Sequence, residues 1–407
     1  MHGQSPSAPV PSRAILFLSL AAFAAAATAR LCDPLLPLIA SDFGVTTGQA
    51  ASVVTAFALT YGLLQAFFGP AGDRFGKYRV ILLATILSIA TSLACAFAGS
   101  LQALTLLRLA SGASSAAIIP LAMAWIGDVV AYDQRQGVLG RFLTGQMSGL
   151  IIGQAAGGVL GEHFGWRIGL ASLSLLYLVA ACGLAFEYSV NPRTRPAPRA
   201  QPVSVLQAWA NMARLTRRPW VRIILLTVFI EGMMVFGPLA FVGASLHEHF
   251  GIGLDQVGLI IGFYGIGGLC YTFLVGRLIG LVGERGLALG GGLIMGLAFA
   301  TLVFTPSLWG AGLATALLGF GFYALHATMQ THATQMAPEA RGSAVALFAS
   351  CYFVGQSLGV YLVSLLVDHY GAGPAFLAAA LGLPALGVWF AARLVHRAGL
   401  AETSQLV

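Results

Sequence analysis

Four strongly ionisable residues interrupt the long apolar runs of this 407-residue chain: Arg30 and Asp33 in ATARLCDPLLP, Arg108 in LTLLRLASGASSAA, and Glu231 in VFIEGMMVFGPL. Arg30 and Asp33 are three residues apart, so on a helix they share a face and neutralise each other. A carboxyl shielded from water can hold either a proton or the cationic group of a ligand, and a neighbouring arginine sets the balance. Asp33 and Glu231 are therefore the candidate carriers of a coupling proton, with Arg30 and Arg108 as the groups that tune Asp33. Pro34 lacks an N–H and leaves the Arg30 carbonyl without its helical donor, which predicts a break in the helix.

An organic ligand needs walls, which aromatic rings and a few amides supply. Phe57, Tyr61, Gln146, Phe236, Tyr264, Tyr323, Tyr352 and Gln356 are the candidates. His326 is the one histidine well inside an apolar run. It is expected to be a satisfied core side chain, with a proton relay as the alternative, and is grouped with the cavity. Catalytic and metal-binding signals are missing. GQSLG (355–359) lies in a helical pattern, without the strand–turn–helix elbow that G-x-S-x-G requires. His247 and His249 are two apart, without HExxH spacing, and no P-loop is present. No cofactor, metal or enzymatic activity is expected.

The composition identifies the solvent around these charges. Hydrophobic residues make up 58% of the chain and charged residues 9%, with a mean hydropathy of +0.85; soluble domains carry about 25% charged residues. The apolar runs are continuous and near the ~20 residues that cross a bilayer as a helix. Twelve segments are predicted: 14–40, 48–71, 79–99, 101–126, 137–161, 167–188, 221–246, 254–276, 286–304, 307–335, 340–366 and 374–395. With both termini cytoplasmic, 18 of the 21 Lys and Arg residues fall on the inner side, as short cytoplasmic loops require. The exceptions are Arg30, Arg108 and Arg167. Acidic residues such as Asp42, Glu162, Asp255 and Asp368 fall outside while Asp73, Asp128 and Glu284 fall inside; Asp42 and Glu187 are expected to be interfacial. The net charge of +7 thus reflects topology and gives no support to a nucleic-acid partner. The five cysteines lie in apolar segments without CxxC spacing and are read as packing residues.

The chain also repeats. At an offset of 206, LGEHFGW (160–166) lies over LVDHYGA (366–372), and Gly149 and Gly153 lie over Gly355 and Gly359; FGVTTGQA (43–50) lies over FGIGLDQV (250–257) at 207, and DPL over GPL at 204. The first segment, although it resembles a signal peptide, has a counterpart in the seventh and is expected to be retained. Residues 1–190 and 221–407 are read as two six-helix bundles, joined by a Pro- and Arg-rich cytoplasmic linker, 191–220, that ends in a short amphipathic surface helix. Parallel repeats of this kind place a substrate site at their interface.

Three stretches carry a family resemblance. GPAGDRFGKYRV (69–80) resembles the loop signature of the major facilitator superfamily through Gly69, Asp73, Arg74, Gly76 and Lys77, with Ala71, Gly72 and Tyr78 as departures. Read alone, it is a tight turn in which Asp73 caps the next helix. GRLIGLVGERG (276–286) is a degraded copy with Gly280 in place of Asp73. Leu104, Arg108, Gly112 and Ala116 resemble the second motif, with Ser111 for its glutamine, and Gly149, Gly153, Gly157 and Gly158 resemble the helix-five motif of proton-exchanging exporters, with Gln154 for its proline. Small residues four apart also serve simple helix packing. The resemblance implies a twelve-helix, all-α fold of the drug:proton antiporter or sugar and metabolite efflux branch, and a switching role for the 69–77 motif. The expected protein is a monomer in a bacterial inner membrane that exports a small organic molecule against protons. A proton-coupled importer, or a non-transporting sensor or channel, is the alternative.

Overall fold

The computed structural model describes residues 10–195, 210, 212–337 and 341–405, and among these no strand occurs. The helices are α1 (Ser12–Arg30), α2 (Leu36–Phe43), α3 (Thr47–Ala50), α4 (Ser52–Phe75), α5 (Lys77–Ala96), α6 (Leu101–Ser115), α7 (Ile118–Val129), α8 (Tyr132–Phe164), α9 (Trp166–Val190), α10 (Pro219–Phe250), α11 (Leu254–Phe304), α12 (Leu308–Gln335), α13 (Arg341–Tyr370) and α14 (Gly373–Gln405). The surface helix expected in the linker falls mostly on 196–209 and 211, outside the described residues.

Among the described residues, ten helical spans are long and apolar enough to cross a membrane, making this a multi-pass membrane protein. Their bounds explain why the count differs from twelve. α11 covers two predicted segments in 51 residues, about 77 Å of helix at 1.5 Å per residue, far more than one bilayer core. It bends at Gly283, whose φ of 65° and ψ of 179° interrupt the helical geometry. α8 occupies the fifth segment but is more polar than the spans counted.

The predicted break in the first segment is present. α1 stops at Arg30 and α2 resumes at Leu36. The Arg30 carbonyl is not left exposed, as the missing proline N–H alone would predict: the Asp33 N–H reaches it at 3.2 Å, and the Leu35 N–H reaches the Cys32 carbonyl at 3.0 Å. Tight turns have replaced the lost helical bond.

The 69–77 motif also differs from its expected form. Gly69, Asp73 and Arg74 lie within α4, which passes through Pro70 and runs on to Phe75. Gly76 alone makes the turn, with φ of 90°, a value that a side chain disfavours. Asp73 therefore does not cap α5, whose start has no side-chain cap. Gly283 repeats this positive-φ position 207 residues later.

The sequence repeat is a repeat of contacts. A Cβ on Gly149 would meet the Phe23 carbonyl and one on Gly153 would meet Ala27; 206 residues on, Gly355 faces the Phe229 carbonyl and Gly359 faces Met233. α8 therefore packs on α1 as α13 packs on α10, with the glycines allowing backbone-to-backbone approach.

The apolar cores show where the halves meet. One cluster mixes Leu35, Ile39 and Val54 with Ala240, Phe241 and Val360. Another, around Ala14, Leu18, Tyr78, Trp125 and Phe142, draws only on residues of the first half. The halves are fused at the end carrying Asp42, Glu162 and Asp368, and keep separate cores toward the end carrying Gly76.

Candidate functional site

The turn between α1 and α2 carries Asp33 into the interior. Asp33 is fully buried, Arg30 is 5% exposed, and Arg30 Nη1 stands 3.5 Å from Asp33 Oδ2. The Gln154 amide, brought in by α8, lies beside the same carboxyl. Arg30 reaches further, into the second half: Nη2 donates to Gln356 Oε1 at 3.3 Å, and the guanidinium carbon sits 4.1 Å from the centroid of the Phe236 ring. A cation buried among rings and an amide acceptor is held by charge–quadrupole attraction as well as by its ion pair.

Arg108 turns inward and does not snorkel. Its Nε donates to the Val53 carbonyl at 3.2 Å and its Nη2 to the Thr28 carbonyl at 3.1 Å, with the Phe57 ring 4.3 Å away. Arg30, not Arg108, is thus the direct ionic partner of Asp33. The second half makes the equivalent contact with a smaller group: 207 residues later, the Thr315 hydroxyl donates to the Ile260 carbonyl at 2.8 Å.

Glu231 is fully buried near the middle of α10. The Glu231 carboxylate and the His326 ring of α12 share a hydrogen bond, Oε2 to Nδ1, of 2.7 Å, and Oε1 has no partner among the described residues. His326 is therefore engaged with the candidate carboxyl itself, rather than satisfied elsewhere in the core. The interfacial acids pair differently: Glu187, although buried, meets Arg13 at 3.0 Å, and Asp42 meets Arg167 at 2.6 Å.

Most of the proposed cavity residues come together as one aromatic array. Phe57 stacks on Tyr61 at 5.5 Å, Tyr61 meets Phe353 at 4.5 Å, and Phe353 leads to Tyr352 at 4.8 Å. Tyr352 contacts Phe236 at 5.4 Å and His326 at 5.0 Å, and Tyr264 lies 6.1 Å from Phe236. Phe322 and Phe353 are central members that sequence reasoning missed; Phe322 stacks on His326 at 4.8 Å. Tyr323 joins at the edge, 5.2 Å from Phe322. Gln146 stands apart, eight residues or about 12 Å along α8 from Gln154.

The motif glycines of α8 serve packing. Gly157 faces the Leu31 carbonyl at the α1 break, and Gly158 faces Leu254 and Gly258 of the second half. At the far end, Lys77 binds Asp128 at 2.6 Å and Asp73 at 3.6 Å, while Arg74 lies over the Phe75 ring.

The sequence profile of the Major Facilitator Superfamily matches residues 18–247 and 224–405. The chain is 28% identical to the uncharacterized MFS-type transporter YceJ of Bacillus subtilis, over 86% of this chain and 88% of that one. It is 26% identical to the bicyclomycin resistance protein homolog of Haemophilus influenzae, over 81% and 83%, and 22% identical to a probable sugar efflux transporter of Pasteurella multocida, over 88% and 86%. In fold it is similar to a mutant form of the nucleoside transporter NupG, with a TM-score of 0.77 at 14% identity, covering 93% of this chain and 99% of that one. A bacterial homolog of the human lysosomal transporter Spinster, in an inward-facing and unoccupied conformation, gives 0.74 at 21% identity, covering 97% and 96%. Profile, relatives and fold agree: the chain is a membrane transporter, not an enzyme, and belongs to the Major Facilitator Superfamily.

Proposed function

We propose that this transporter exports a small organic molecule in exchange for protons, using Asp33 and Glu231 as the proton-carrying groups. The observation that carries this reading is the reach of Arg30. It pairs with Asp33 in its own half while gripping Gln356 and Phe236 in the other. Protonating Asp33 frees Arg30 from its counterion and changes what the two halves present to each other. A substrate cation or hydrogen-bond donor competes with the proton for the same carboxyl. Glu231 and His326 form a second proton station in the opposite half, beside the aromatic array that would hold the substrate.

Direction is argued from similarity. Two relatives carry resistance or efflux in their names, and the α8 glycines resemble the exporter motif. In this reading the chain crosses a bacterial inner membrane twelve times as a monomer of two six-helix bundles, with both termini cytoplasmic. The 69–77 motif, with Asp73, Arg74 and Lys77, switches the cytoplasmic end, where the two halves keep separate cores.

The test is flux in proteoliposomes under an imposed pH gradient, screened over cationic drugs, sugars, nucleosides and organic acids. Saturable solute efflux that alkalinises the compartment receiving the solute in step, as exchange for protons requires, is expected. If Asp33→Asn and Glu231→Gln both retain gradient-driven flux, the assignment of the carboxyls is wrong.

A further inference from the structure

We infer that Glu162 and Asp368 are positioning residues of the transport cycle: each carboxylate clasps the first turn of a helix in the opposite half, and both clasps must release before this face can open. Glu162, near the end of α8, accepts a hydrogen bond from the Leu254 N–H at 2.7 Å, where α11 begins. Asp368, near the end of α13, accepts from the Gly48 N–H at 2.9 Å and from the Thr46 hydroxyl at 2.7 Å, where the span Thr47–Phe75 begins. The two arrangements are near copies: Asp368 follows Glu162 by 206 residues, and Leu254 stands over Thr47, the neighbour of Gly48, at the offset of 207 that aligns this stretch.

The chemistry favours a clasp. The first N–H groups of a helix have no partner within it, and a carboxylate placed there gains a charge-assisted bond and the attraction of the helix dipole. Here the carboxylate and the N–H belong to different halves, so the bond exists only while the halves touch. Gly48 has no room for a side chain: a Cβ there would meet the Asp368 carboxylate and the Ser364 carbonyl. Beneath the clasps lies the core that mixes residues of both halves. The 69–77 motif sits at the opposite end, around Gly76, so the clasps govern the face that the motif does not. The inference rests on alternating access of the two halves and is independent of proton coupling.

The test uses the full chain in lipid nanodiscs, with Cys32, Cys95, Cys182, Cys270 and Cys351 replaced and spin labels placed on F97C and W309C. Both label sites are exposed, at 80% and 89%. Pulsed dipolar spectroscopy then reads the ratio of long to short label distances. The double variant Glu162→Ala/Asp368→Ala is expected to raise that ratio about tenfold, as loss of charge-assisted bonds implies. Leu254→Pro deletes one donor N–H at the first helical position, where proline is tolerated, and leaves both carboxylates in place; it is expected to shift the ratio the same way by less. Glu248→Gln, which removes an acid on the same face outside the clasps, is expected to change nothing. Unchanged distances in the double variant, or in Leu254→Pro should the double variant fail to fold, overturn the inference. So does an equal shift in Glu248→Gln. Wild-type flux indifferent to a pH gradient would remove the proton-coupling reading and leave this result standing.

Discussion

The guanidinium carbon of Arg30 lies 4.1 Å from the ring centroid of Phe236, the residue 206 positions further along the chain. The repeat offset makes them counterparts, one in each half, pressed against each other where the halves meet. Phe236→Leu removes the cation–π contact, worth about 2 kcal/mol when desolvated, and keeps an apolar side chain. The expected result is a carrier that still binds substrate but leaks protons without it, measured as uncoupled pH equilibration in proteoliposomes. Phe236→Tyr keeps the ring and is expected to stay coupled.

Arg30→Met strands the buried Asp33 charge, leaving the Gln154 amide beside it as a neutral neighbour. Breaking a buried pair from one side costs about 3–5 kcal/mol. The thermal midpoint in detergent should fall clearly for Arg30→Met and recover in Arg30→Met/Asp33→Asn. Equal losses in single and double variants would show that the pair is not coupled.

Gly153→Leu and Gly359→Leu should behave as twins, since Gly153 packs on Ala27 and Gly359 on Met233. Each forces a side chain between two backbones, at a cost of about 1–3 kcal/mol or more. Comparable drops in thermal midpoint and in folded yield are expected. If only one is affected, the two contacts are not equivalent in strength.

His326→Ala leaves Glu231 without its hydrogen-bond partner, since Oε1 already has none among the described residues. A buried acceptor left unpaired costs about 1–3 kcal/mol. Slower pH-driven flux and a changed pH–rate profile are expected, while His326→Phe should restore stacking on Phe322 without restoring flux. Full flux in His326→Phe would assign the ring to packing alone.

Much of this arrangement is legible in the residues. Pro34 announces the break after α1, three-residue spacing announces the Arg30–Asp33 pair, and the offset of 206 announces the contacts that recur at Gly149 and Gly355. What is not legible depends on how distant helices turn toward each other. Glu231 and His326 are 95 residues apart, and Arg30 and Gln356 are 326 apart; no local spacing encodes either pair. Phe322 and Phe353 escape notice because an aromatic in an apolar helix looks the same whether it faces lipid or a partner. The motif at 69–77 reads as a loop, yet a single glycine performs the turn that several residues usually share.

Arg108 and Thr315 answer to the same backbone carbonyl in each half, Val53 or Ile260. In the second half a threonine hydroxyl is enough to make this contact. A cation at this depth is therefore particular to the first half: besides the carbonyl it shares by position with Thr315, its guanidinium reaches the Thr28 carbonyl. The asymmetry of charge thus shows in where each side chain turns next: Arg108 ties α6 to α1 through Thr28, while Thr315 turns back on its own helix at Ala311 and Gly312.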